Sequence, residues 1–295
     1  MTKPEILHLL AHQGPELDPQ WCETHISWVL LIGDCAYKIK KPVQLPFLDT
    51  MILKNRKNLC MRELAVNKRL APDLYQEVIP IVQHGEEFWL GGTRGEIVEY
   101  AVKMKRMDPA HQFNVMLENK QVTAEMARQL GQDLAQMHRS APISYRPVNM
   151  GKYIEAFSGI SKTLRQVQEQ LGVDYAEIIA QSIKTAEEFL VSKADLFHQR
   201  LLAGYFRHLH GDLHSKNIFY YERPVFFDAM EFNEDWRRLD VLDEVATLCV
   251  DLEFYASKNL EDAILRTYLQ IFPSMKNEDK ELFLYYKLYR ANVRA

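Results

Sequence analysis

A chain of 295 residues, 47% apolar and 26% charged with net charge −4, has the composition of an ordinary globular protein, long enough for one large two-lobed unit or two modest domains. Without a basic excess, wholesale nucleic-acid binding by counterion release is not expected, and no window approaches the roughly 18 consecutive apolar residues of a spanning helix. Cys22, Cys35, Cys60 and Cys249 lie apart, with no C-x-x-C pair or zinc-ligand spacing.

The N-terminal stretch MTKPEILHLLAHQGPEL carries a short apolar patch broken by His8 and His12, unlike the apolar run of a signal peptide. The expectation is a cytoplasmic protein with reduced cysteines and neither membrane nor nucleic-acid partners. From ISWVLLIGDCAYKIKK to EIVEYAVKMKRM, short β-rich runs are separated by turn pairs, Gly33-Asp34 and Gly91-Gly92. MKRM within the last of these fits a half-buried strand. One helical pattern interrupts the strands, DTMILKNRKNLCMRELAVNKRLAP, with Asp49 or Thr50 placed to cap its start and Ala71-Pro72 to end it.

After Pro109 the pattern turns helical: TAEMARQLGQDLAQMHRS, DYAEIIAQSIKTAEEFLVSKADLFHQRLLAGY, VLDEVATLCVDLEFYAS and KELFLYYKLYRANVRA carry apolar residues at spacings of three and four. Within this half, NIFYY and PVFFD are predicted to pair as a hairpin through YERP. The expected class is α+β, with a strand-rich lobe over residues 1–108 and a mainly helical lobe over 109–295. A cleft between two such lobes is where a ligand is expected.

The densest chemistry lies in HGDLHSKN, residues 210–217, and DAMEFN, residues 228–233. One loop carries Asp212 and Asn217, and the end of the second hairpin strand brings the carboxylate of Asp228. Magnesium takes hard oxygen ligands, few from protein and the rest from phosphate and water, so Asn217 and Asp228 suit it. Asp212 is then left to accept a proton from an attacking hydroxyl, which completes what phosphoryl transfer needs. A metallo-phosphoesterase reading of His210 and His214 lacks further His/Asp clusters. His210 is expected to be packed, and His214 to be exposed near the substrate. Glu231, Asn233 and Trp236 fit substrate contact or loop packing equally.

HGDLHSKNI followed by FFDAMEFN resembles the catalytic and metal-binding motifs of the aminoglycoside phosphotransferase-like kinases, a branch of the protein-kinase-like fold. The resemblance implies that Asp212 is the catalytic base, that Asn217 and Asp228 hold Mg2+, and that His210 supports the loop. ETHISWVLLIGDCAYKIKKPV, LDTMILKNRKNLCMRELAVNKRLAP and EFNEDWRRLDVLDEVATLCVDLE resemble a bacterial subfamily often joined to a C-terminal P-loop ATPase domain. Such a domain or another protein is therefore an expected partner.

In this family a strand lysine reaches the nucleotide phosphates and a helix glutamate fixes it. CAYKIKK implies Lys38 for that role, with Lys40 as the alternative on the same strand face; Glu63 is the implied glutamate. No G-x-G-x-x-G occurs in this half, and THIS takes its place, so Thr24, His25 and Ser27 are the implied phosphate-loop residues. Backbone groups near Lys105 and Met107 are implied to read the adenine of ATP. Where relatives carry an aspartate to steady the catalytic loop this chain has Glu244, which leaves open whether Glu244 reaches or Asp243 substitutes.

The expected activity is ATP- and Mg2+-dependent phosphorylation of a hydroxyl on a small-molecule acceptor. An aminoglycoside acceptor does not follow, because no cluster of carboxylates to pair with its amines stands out. A kinase of a protein acceptor and a nucleotide-binding regulatory module with little turnover are the alternatives.

Overall fold

The computed structural model describes residues 1–294. Its chain divides into two compact units. Met1–Val115, Asn217–Tyr221 and Val225–Glu234 make up the first; Met116–Lys216, Glu222–Pro224 and the chain from Asp235 onward make up the second.

The first unit opens with α1 (Lys3–Ala11), β1 (Gln20–Glu23), β2 (Ser27–Ile32) and β3 (Cys35–Lys40). A short hairpin, β4 (Gln44–Leu45) and β5 (Leu48–Asp49), leads to α2 (Leu53–Asn67), and then follow β6 (Tyr75–His84), β7 (Glu87–Leu90) and β8 (Glu96–Lys105). The strands form an antiparallel six-stranded sheet in the order β1-β2-β3-β8-β6-β7. As predicted, β2 and β3 turn through Gly33-Asp34, where Gly33 takes a φ of 54° that a side chain would resist.

Strand residues alternate between faces, and β3 divides its side chains accordingly. Ile39 joins Ile6, Leu9, Trp28, Leu30, Ile81 and Phe88 in the core beneath α1. Ala36 joins Cys60, Tyr75, Val102 and Met104 in the core beneath α2. Lys38 and Lys40 share the parity of Ala36 and are both buried. On α2 the buried positions Arg56, Leu59, Cys60, Glu63 and Asn67 recur every three or four residues, which is the helical repeat on one face.

The start of α2 differs from the expectation. Ile52 occupies the cap position without a side-chain hydrogen bond. Asp49 accepts the Met51 N–H at 2.9 Å, and Thr50 donates to the Lys41 carbonyl at 2.6 Å, so both side chains are consumed in the preceding turn. Arg56 instead ties the entry down, donating to the carbonyls of Thr50 and Met51 at 2.8 and 2.9 Å. The helix also ends earlier than Ala71-Pro72, closing at Asn67, whose carbonyl accepts the N–H groups of Leu70 and Ala71.

Beyond α3 (Phe113–Glu118), the second unit contains α4 (Ala124–Ser140), α5 (Met150–Ser161), α6 (Leu164–Leu171), α7 (Val173–Ser192) and α8 (Ala194–Leu202). The single helix read over 174–202 is thus broken, at Lys193 with φ −113° and ψ 16°. Next in the chain come β9 (Phe206–His208), the expected hairpin of β10 (Ile218–Tyr220) and β11 (Pro224–Phe226), of which all but Pro224 belongs to the first unit, then α9 (Glu234–Arg237) and β12 (Arg238–Asp240), which pairs antiparallel with β9. The last helices are α10 (Val241–Phe254), α11 (Lys258–Ile271) and α12 (Lys280–Arg294). Every residue of α10 from Val241 to Cys249 is buried, which makes it the axis of this unit. Among the described residues no helix is long and apolar enough to cross a membrane.

Two helical glycines make opposite predictions. A Cβ on Gly131 of α4 would lie 2.4 Å from the Ile264 carbonyl oxygen of α11, whereas one on Gly159 of α5 would meet nothing within 4 Å. Gly131→Ala should lose about 1–3 kcal/mol by overpacking despite the better helix propensity of alanine, and Gly159→Ala should gain up to about 1 kcal/mol. Urea unfolding measures both, and a stabilised Gly131→Ala would contradict the close packing.

Candidate active site

Two lysines and three carboxylates of the first unit form a row of alternating charge. Lys38 Nζ lies 2.8 Å from Glu63 Oε1 and contacts Asp228 Oδ1. Lys40 Nζ lies 2.5 Å from Glu63 Oε2 and 2.5 Å from Glu231 Oε1. Both lysines therefore hold Glu63, one on each carboxylate oxygen. Burial alone would lower the Lys38 pKa, but Asp228, Glu63 and Glu231 more than offset it and raise it well above the ordinary lysine value. Lys40 is raised in the same way, with Glu231 as its strongest partner. Both stay charged at any physiological pH.

The turn after β11 positions Asp228. Its φ of 60° is left-handed, and its N–H donates to the Tyr75 hydroxyl at 3.1 Å. Asn67, one turn after Glu63 on α2, accepts the Ala229 N–H at 2.7 Å and donates to the Ala229 carbonyl at 3.2 Å. One amide thus fixes the backbone beside the carboxylate. Asn217 belongs to the same unit, and its carbonyl accepts the Phe227 N–H at 3.1 Å. Its side-chain amide and the Asp228 carboxylate, which keeps 37% of its surface exposed, offer hard oxygen donors of the kind Mg2+ takes.

Asp212 belongs to the second unit, on the loop that follows β9. Glu244, buried in the first turn of α10, accepts the Gly211 N–H at 2.7 Å and the His210 N–H at 3.3 Å. Its Oε2 also lies 3.0 Å from His138 Nε2, and His138 Nδ1 lies 2.8 Å from the Tyr268 hydroxyl. Glu244 therefore reaches the loop. Asp243 does not substitute for it, because Asp243 binds Arg290 at 2.6 Å. His210 is wholly buried and accepts the Asp212 N–H at Nδ1, 3.3 Å away. Asp251 accepts the Ser215 N–H at 2.6 Å and so tethers the far end of the loop.

His214 differs from the expectation of an exposed residue. It is half-buried, with Nε2 3.5 Å from Asp212 Oδ2. Burial pushes the Asp212 pKa up, but the His214 ring, with His210 and Arg290, outweighs it and leaves the carboxyl below the usual aspartate value. At neutral pH it is an ionised base with half its surface exposed.

The loop THIS is a closed turn between β1 and β2. Thr24 Oγ1 accepts the Ser27 N–H at 3.0 Å, so its side chain serves the turn; His25 is exposed and Ser27 fully buried. At the end of β8 the Lys105 N–H donates to the Leu74 carbonyl, and beyond it Arg106 N–H donates to the Asp34 carbonyl and Asp108 N–H to the Tyr221 hydroxyl. Among the described residues the Met107 N–H has no such partner. Met107, Val225 and Phe227 pack, partly buried, against the cluster of Ala36, Val102 and Met104, an apolar setting that suits a flat base.

Residues 51–277 match the phosphotransferase enzyme family. The chain belongs to that family. A solved aminoglycoside phosphotransferase of Streptomyces rimosus is similar with a TM-score of 0.54 and 12% identity, covering 99% of each chain. Its complex with ADP and streptomycin gives 0.52 and 13%, covering both chains fully. A choline/ethanolamine kinase family protein of Mesorhizobium loti gives 0.51 and 15%, over all of this chain and 84% of that one. These likenesses show the protein-kinase-like α+β fold. Uncharacterised proteins of Mycobacterium tuberculosis and Mycobacterium bovis are 28% identical over 282 residues, covering 92% of this chain and 53% of theirs. The chain thus spans about half the length of these curated relatives.

Glu244 yields a prediction with a definite sign. Burial raises its pKa, but His138, His210 and the Gly211 N–H hold it below the glutamate reference of 4.5. Its ionised form therefore stabilises the fold above the unfolded pKa, and that contribution is lost as pH falls through the lower folded value. Glu244→Gln should cost about 1–3 kcal/mol at neutral pH, and the gap from the native chain should close under acid. Denaturant unfolding at several pH values measures this; a gap that widens on acidification would contradict it.

Proposed function

We propose that the protein is an ATP- and Mg2+-dependent phosphotransferase that moves the γ-phosphate to a hydroxyl of a small molecule. The observation that carries the reading is the Lys38–Glu63 ion pair with Lys38 also on Asp228, within a chain of the phosphotransferase family. Lys38 is the phosphate contact and Glu63 fixes its ammonium. The Met107 N–H and the Lys105 carbonyl are the base-reading groups, beside the apolar setting around Ala36 and Met104. In the turn of Thr24, His25 and Ser27 the Thr24 and Ser27 N–H groups close the turn itself, which leaves the His25 N–H to meet phosphate.

Asn217 and Asp228 would hold Mg2+, which supplies neutralisation of phosphate charge. Asp212, kept ionised by His214 and Arg290, accepts the proton of the attacking hydroxyl. Glu244 and Asp251 hold its loop through backbone N–H groups, so little reorganisation is required when the acceptor arrives. The same reading puts the protein in the cytoplasm, where ATP is supplied and thiols such as the exposed Cys22 stay reduced.

The test is ADP release with ATP and Mg2+ across a library of sugars, amino alcohols, aminoglycosides and nucleosides. One acceptor class should support turnover, Asp212→Asn should reduce it by roughly 10²- to 10⁴-fold, and chelation of Mg2+ should abolish it. Tight ATP binding without transfer to any acceptor would instead favour a regulatory module or a protein acceptor.

A further inference from the structure

The phosphate site as proposed uses one lysine, yet β3 buries two against the same glutamate. The row Asp228–Lys38–Glu63–Lys40–Glu231 has unlike ends. At one end Lys38 keeps 9% of its side chain exposed and Asp228 37%. At the other, Lys40 is completely enclosed and Glu231 keeps only 4%. A ligand can reach the first end and is shut out from the second.

This asymmetry separates the roles of the two lysines. Lys38 must leave some of its carboxylate contacts to meet a phosphate. If it were the sole partner of Glu63, that move would strip a buried carboxylate of its counter-charge, which is a severe penalty. Lys40 removes the penalty, because it holds Glu63 Oε2 at 2.5 Å independently of Lys38. Through Glu231 at 2.5 Å it also anchors the turn, three residues after Asp228, that carries the metal-binding carboxylate. We infer that Lys40, with Glu231, is a positioning residue of the phosphate site: it keeps Glu63 and the 228–231 turn in place while Lys38 exchanges carboxylate for phosphate. This rests on the phosphotransferase reading, and Lys40 acts on nucleotide through Lys38 and through the 228–231 turn, without touching it.

The experiment is titration calorimetry of Mg-ATP binding to the full chain, with thermal melts in parallel, for the native protein, Lys38→Met, Lys40→Met and the double variant. Lys40→Met should weaken Mg-ATP binding about tenfold or more, and the double variant should lose clearly less affinity than the two single losses combined. If Lys40→Met fails to fold because Glu231 is left without its partner, Lys40→Met/Glu231→Gln removes both charges. Combined with Lys38→Met, it gives the same comparison. Unchanged Mg-ATP affinity with only a lowered melting temperature would overturn the inference, as would losses that add in the combined variant, the sign of a general charge effect. Failure of the native protein to bind Mg-ATP would overturn the phosphotransferase reading and this inference with it.

Discussion

Burying two carboxylates and two ammonium groups, with a third carboxylate half-exposed at the end of the row, is the constraint around which the first unit is organised. Each ion loses several kcal/mol of hydration, and only neighbours at hydrogen-bonding distance restore it. The row therefore imposes simultaneous conditions on three separated segments. β3 must turn Lys38 and Lys40 toward α2, α2 must present Glu63, and the turn after β11 must deliver Asp228 and Glu231. A slip of one residue in β3 would point both lysines into the apolar core of Ile6, Leu9 and Trp28. Uncompensated charge there would be far more costly than any lost ladder hydrogen bond, so the register of the sheet is specified electrostatically as well as by its apolar pattern.

The second unit solves a similar problem with different chemistry. Glu244 is as buried as Glu63, but it is satisfied by two backbone N–H groups and an imidazole, not by lysines. Backbone donors are fixed in number and direction, so this carboxylate orders the path of a loop. With Leu209 N–H on the Arg237 carbonyl and Ser215 N–H on Asp251, the segment around Asp212 is held at intervals along its length. A loop that would otherwise be free to fluctuate becomes part of the scaffold of α10.

Much of this was legible because the chemistry was concentrated in short spans. The alternation in CAYKIKK put both lysines on one face, and the spacing of Asp212, Asn217 and Asp228 around two apolar runs predicted the hairpin that the structure contains. Less legible was anything that depended on packing partners. Glu231 fits substrate contact and loop packing equally, and Asn67 carries no assigned role, until α2 and the 228–231 turn are brought together, although the four-residue step from Glu63 to Asn67 was a usable signal. His138 and Arg290 act on the Asp212 loop from helices far away in sequence, and no local pattern marks them. The cap expected of Asp49 or Thr50 failed because those side chains found partners in the preceding turn before the helix began.

Asp228 shows how two unrelated demands can converge on one position. Its left-handed backbone is tolerated at low cost by glycine, asparagine and aspartate, and disfavoured for other side chains. Its contact with Lys38 requires a negative charge. Glycine and asparagine meet the first demand without the second, and glutamate meets the second without the first. Of the genetically encoded amino acids, aspartate alone lies in the intersection, so the identity of this residue is set as firmly by a torsion angle as by the chemistry of its side chain.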